Sequence, residues 1–129
     1  MLAYNPSVAP EPKAWLALDE QERILLVETF HRRQRAKPPN LKAHAAFHAI
    51  VENQLAEGVE SAVSAMTRLM AEGLSRHDAL HAIASVLAEQ MYDLMTVETK
   101  DPAAVAQSRY DAALARLSAA EWRRAYGAE

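Results

Sequence analysis

Glycine and proline cut this chain into stretches of helical period, and no stretch alternates apolar and polar residues with the period of two that a strand needs. The sequence therefore predicts an all-α fold. Residues 1–14 read as an extended arm, since the first dozen hold three prolines, with Trp15 and Leu16 docking where the helices begin. Asp19 is placed to cap the first main helix, with Glu22 at the capping-box position, and Ile24, Leu25, Val27 and Phe30 mark its apolar side as far as about Arg35, before Pro38-Pro39 stops it. Asn40 caps a second helix that ends at Gly58, and a third runs from about Glu60 to Gly73. Ser75, with Asp78 three residues on, starts a long fourth helix reaching about Thr96. Asp101-Pro102 opens another, and Ser118 with Glu121 starts a last short helix closed by Gly127. Short connections among the first four favour an up-down-up-down helical bundle, with an extra C-terminal helix or helical pair, forming a single helical domain over residues 15–129.

Half the residues are hydrophobic, enough for a chain of 129 to bury one core without staples. A net charge of −3, from 14 basic and 17 acidic side chains, gives no general attraction for nucleic acid or an anionic membrane. With no cysteine, a disulfide framework and thiolate metal ligation are both excluded. The sequence starts without a basic-then-apolar leader, and no apolar run approaches the roughly 18 residues of a membrane span, so the expected location is cytoplasmic.

Chemistry is concentrated in a doubled pattern. His44-Ala-Ala-Phe-His48-Ala-Ile opens one expected helix and His77-Asp-Ala-Leu-His81-Ala-Ile opens another. A spacing of four places both rings of a pair on one helix face, about one turn apart. In an up-down-up-down bundle the two helices run parallel, so both pairs should lie at one level. His31 and Glu28 arrive there from the end of the preceding helix, and Glu72 from the end of the third. On a helical wheel His44 and His48 fall within the apolar face of Phe47, Ile50, Val51 and Leu55. His77 and His81 flank the stripe of Leu80, Ile83, Leu87, Met91 and Leu94, beside the small Ala84 and Ala88.

Buried imidazoles need partners for their nitrogens, and several close together repel if protonated. A divalent transition metal ion meets both needs, with His44, His48, His77 and His81 as candidate ligands. Zinc is the first choice, and nickel, copper or iron accept the same donors. Glu52, one turn after His48, and Asp78, beside His77, join Glu28, Glu72 and His31 as candidate supporting groups. The plain alternative is a polar cluster in which the histidines bond to one another, to carboxylates and to water.

The segments NLKAHAAFHAIVENQLAEG and EGLSRHDALHAIASVLAEQMYDL, spanning Asn40 to Leu94, together with YDAALARL at Tyr110 to Leu117, resemble the short helical bacterial proteins grouped as domain of unknown function family 1841. That family pairs an HxxxH segment leading into Glu-Gln-Leu with a second histidine pair ahead of Leu-x-Glu, motifs that fall here on His44, His48, Gln54, Leu55, His77, His81 and Glu89. The resemblance covers about half the chain and implies a shared site, not a reaction. This chain departs from it at Leu80, where the family tends to carry glutamate before the last histidine.

Whether the protein is an enzyme stays open. A zinc peptidase of the HExxH kind needs glutamate where this chain has Ala45. A metal-dependent hydrolase remains as an alternative, because His77-Asp78 resembles the His-Asp doublet of helical phosphohydrolases, with His44 or His48 and Asp93 completing its metal site. There is no glycine-rich phosphate loop and no plausible order of acid, base and nucleophile among the seven serines. The non-enzymatic alternative is a protein or nucleic-acid interaction module. Arg68 to Leu80 imitates a helix-turn-helix, but its second helix is apolar after Arg76, which argues against a groove reader. The basic run of Arg32, Arg33, Arg35, Lys37 and Lys42 suits a solvated helix end. Met66 with Met70 and Met91 with Met95 are read as core fillers. Trp122 and Tyr126 pin the last helix or, if exposed, offer a homodimer contact.

Overall fold

A computed structural model describes residues 3–34, 40–96 and 102–126, apart from the side chain of Tyr126. Arg35, Lys37, Pro38-Pro39, Asp101, Gly127 and the Tyr126 ring, all invoked above, lie outside the described residues. The described residues form seven helices and no strand.

Local chemistry sets the boundaries. Helix α1, Pro12–Ala17, starts inside the expected arm because Glu11 accepts from the Ala14 amide and Pro12 fits the first turn. Asp19 closes a full capping box with Glu22 at the head of α2, Glu20–Arg32. Asn40 caps α3, Leu41–Ala56, through the Ala43 amide. Gly58 and Gly73 end α3 and α4, Glu60–Ala71, with φ of 74° and 106°. At each, the following residue donates back to the carbonyl five positions earlier, Val59 to Gln54 and Leu74 to Leu69, in a Schellman closure that glycine accommodates without strain. Ser75 accepts from the Asp78 amide at the start of α5, Arg76–Thr96. Pro102 is itself the N-cap of α6, Ala103–Arg116, and Ser118 starts α7, Ala119–Tyr126.

Helix α3 is central, packing on α1, α2, α4 and α5, while α6 packs on α4 and α5. It separates two apolar clusters. Ala45 and Ala49 face Tyr4, Trp15 and Val27, and Val51 faces Leu69, Leu80, Ile83, Leu114 and Trp122. Asn53 ties α1 down by accepting from the Trp15 indole at 2.9 Å and from Arg23, which also donates to the Trp15 and Leu16 carbonyls. Three of the four methionines read as core fillers are exposed: Met66 is buried, but Met70, Met91 and Met95 are not. Length explains the α5 pair, because α5 has 21 residues against 12 in α4, and its last turns outrun that partner. Leu25 also turns outward, at 55% exposure, since the buried side of α2 is carried by Val27 and His31.

Candidate metal centre

All five histidines gather where the last turn of α2 meets the first turns of α3 and α5. His31 Nδ1 donates to the Val27 carbonyl at 2.9 Å, which leaves its Nε2 as a bare lone pair in the neutral ring. That nitrogen lies 3.1 Å from His44 Nε2, and His44 Nε2 lies 3.1 Å from His81 Nε2. With a single Nε2 proton at most, His44 cannot make a good in-line hydrogen bond at both contacts. Around one tetrahedral ion with bonds of about 2.05 Å, ligand nitrogens stand roughly 3.3 Å apart. Both contacts of His44 are thus close to the spacing a shared cation imposes.

His48 completes the group from deeper in the core, where it is 1% exposed. Its Nε2 is 3.0 Å from the Tyr4 hydroxyl, whose hydrogen is donated to Glu52 Oε2. The Tyr4 oxygen is therefore the acceptor and His48 Nε2 the donor, so His48 Nδ1 carries the lone pair. That Nδ1 is buried with no hydrogen-bond partner. One ligand atom from each of His31, His44, His48 and His81 lies within 4.8 Å of all the others.

The set differs from the expected one at a single position. His31, expected as support, belongs to the four, and His77 stands beside them. His77 stacks on His48 at 5.6 Å, meets His81 at 4.3 Å between ring centroids and has Phe30 at its edge. Contacts step forward along α3 from His44 to His48 to Glu52 while stepping backward along α5 from His81 to His77 to Arg76. Helices in the parallel register expected from the sequence would pair His44 with His77, so the reversed order corrects that expectation at this end of α3 and α5.

The candidate supporting carboxylates divide, Glu52 and Asp78 acting on the histidines and Glu28 and Glu72 held by other partners. Glu52 forms a buried bidentate pair with Arg76, both bonds at 2.9 Å, and reaches the histidines only through Tyr4. Glu28 pairs with Arg32 at 2.8 Å. Glu72 accepts from the Ala119 amide and holds the start of α7. Asp78 acts on His77 by its charge, which partly offsets the effect of burial on that ring. Asp93 is exposed, sixteen residues or roughly 24 Å of helix beyond His77, so it cannot complete a phosphohydrolase site there. Both arginines of the helix-turn-helix-like stretch are engaged internally, Arg76 with Glu52 and the Pro6 carbonyl, Arg68 with the Leu114 and Leu117 carbonyls.

Tyr4 and Arg76 were not legible as site residues. Their one signal was Glu52, which stands one turn after His48 on the same helix. Tyr4 comes from the arm, which Arg76 fastens by donating to the Pro6 carbonyl at 2.9 Å.

Burial and the neighbouring imidazoles disfavour protonation throughout. His44 is pushed down to about 4 and His81 to about 3, first by burial and then by the other rings, and His48 falls well below its ordinary value for the same reasons. Burial lowers His31 and His77 as well. The rings are therefore neutral at pH 7, the form that binds metal. A histidine whose pKa is lower folded than unfolded leaves stability intact above about pH 6.5 and erodes it as pH falls toward the folded value. Metal-free protein is expected to lose about 2 kcal/mol between about pH 7 and pH 5, after discounting for partial exposure. Thermal unfolding in chelator checks this, and His44 or His81 ring resonances titrating near pH 6.5 would contradict it.

Three of the four ligand candidates, His44, His48 and His81, also line a partly open pocket of about 280 Å³. No described helix is long and apolar enough to cross a membrane. Comparison with protein-family models, with curated proteins and with solved structures finds no match.

Proposed function

We propose that this is a metal-binding protein in which His31, His44, His48 and His81 hold one divalent transition metal ion. The observation that carries the reading is the joining of three Nε2 atoms by two 3.1 Å contacts, with one ligand atom from each of the four histidines within 4.8 Å of the others and the Nδ1 of His48 buried without a partner. Zinc is the first choice because it accepts four imidazoles in tetrahedral geometry, and nickel, copper or iron suit the same nitrogen donors. Tyr4 and Glu52 fit the role of outer partners that hold a ligand ring in one tautomer. Membership of family 1841 and a cytoplasmic location belong to the same proposal, on the motif resemblance and the lack of cysteine.

In many metal-dependent hydrolases a carboxylate base beside the metal assists the activated water. Glu52, the buried carboxylate nearest the histidines, is already matched by Arg76, which favours binding over hydrolysis. Elemental analysis of protein purified without a histidine tag should find close to one ion per chain, and almost none in the His48→Ala, His81→Ala double variant. Circular dichroism of the variant confirms that it remains helical. Equal, substoichiometric metal in both proteins would end the proposal.

A further inference from the structure

The charge of the site says what its pocket takes. A divalent ion held by four neutral imidazoles keeps its full double charge in a largely buried place, and such a charge needs an anion beside it. Glu28, Glu52 and Glu72 are occupied by Arg32, Arg76 and the Ala119 amide with Arg68. Tyr4 gives no negative charge either, because its hydroxyl keeps its hydrogen and donates it to Glu52 Oε2. Asp78 offers one negative charge beside His77, which leaves the second charge of the ion to an anion from outside the chain.

Entry is through the pocket lined by His44, His48 and His81. The rest of its lining is mostly apolar or small: Phe47, Ala84, Ala88 and Trp122, with Ser85, whose hydroxyl donates to the Ala82 carbonyl at 2.7 Å. None of these side chains is a lysine or arginine, so an anion has no cation to meet there except the metal. At about 280 Å³ the space exceeds the roughly 150 Å³ that suffices for a benzene molecule in an apolar protein cavity. We infer that this pocket binds a small organic monoanion, a carboxylate on a single aromatic or branched aliphatic body, with the carboxylate beside the ion and its ligand rings as counter-charge and the body against Phe47, Ala84, Ala88 and Trp122.

The inference rests on the metal-binding reading, and its test separates the two. Zinc is first added to metal-free protein and the bound ion counted; calorimetric titrations then use benzoate, acetate and benzyl alcohol as probes. Zinc-loaded protein should bind benzoate at least about tenfold tighter than metal-free protein does, because the head needs the metal. It should also bind benzoate at least about tenfold tighter than acetate, because the ring fills the pocket, and about tenfold tighter than benzyl alcohol, which has the ring without the charge. Ala88→Leu, which fills the pocket away from the histidines, should weaken benzoate and leave both acetate binding and the zinc count unchanged. The wild-type comparisons decide the matter even if that variant does not fold. Failure to take up zinc overturns both readings. One zinc per chain with benzoate bound no better than acetate, or no better than by metal-free protein, overturns this inference alone.

Discussion

Glu52→Ala is expected to lower the thermal unfolding midpoint of metal-free protein by about 10–20 °C, the largest effect of any single substitution proposed for this chain. Arg76 would be left as a buried guanidinium with the Pro6 carbonyl but no counter-charge, and breaking such a pair from one side costs about 3–5 kcal/mol. Tyr4 loses its acceptor in the same step, so the arm loosens over His48. Removing both charges with apolar residues of similar size, Glu52→Leu with Arg76→Met, should recover much of the loss, since no unpaired charge remains. Circular dichroism melts of the three proteins check this. A shift of only a few degrees for Glu52→Ala would show that the pair is solvated in solution and that the arm is held by other contacts.

The second large effect concerns the metal. His44→Ala should weaken zinc binding by more than about a hundredfold, and His77→Ala by less than about tenfold. Structural zinc sites bind with about 10–16 kcal/mol, so one ligand of four is worth about 3 kcal/mol. His44 touches both His31 and His81 at the nitrogens in question, whereas His77, though its Nε2 is also buried without a hydrogen-bond partner, lies outside the group of four. Competition with a chelator of known affinity measures both variants. Equal losses, or a larger loss at His77, would mean that the ion selects the two HxxxH pairs as drawn from their spacing, and not the four nitrogens the fold brings together.

The contrast between His31 and His77 shows what sequence could and could not tell. Capping residues, Gly58 and Gly73 act over a few neighbours, so helix limits and the all-helical class were legible, and so was the gathering of five histidines at one end. Which four share a point depends on the register in which α5 meets α3, and no residue spacing carries that register. His31 joins them through a nitrogen aimed by a bond to its own helix at Val27. Glu52 was legible as a candidate partner of the histidines, but its own partners lie 48 residues before it and 24 after it, at Tyr4 and Arg76. Pairings over such distances follow from the finished packing and not from local pattern.

Neither short nitrogen contact joins two residues of one HxxxH pair: His31 meets His44 across α2 and α3, and His44 meets His81 across α3 and α5. An isolated α3 or α5 peptide thus carries half a motif and none of these contacts. An ion that binds all four rings can do so only when three helices have docked, so it adds its affinity to the folding equilibrium by RT ln(1 + [metal]/Kd). At a hundredfold excess over Kd that amounts to about 2.7 kcal/mol, a sizeable fraction of the stability of a small domain. Metal supply would then govern how much folded protein a cell maintains, and a drop in free ion would act first as a loss of structure.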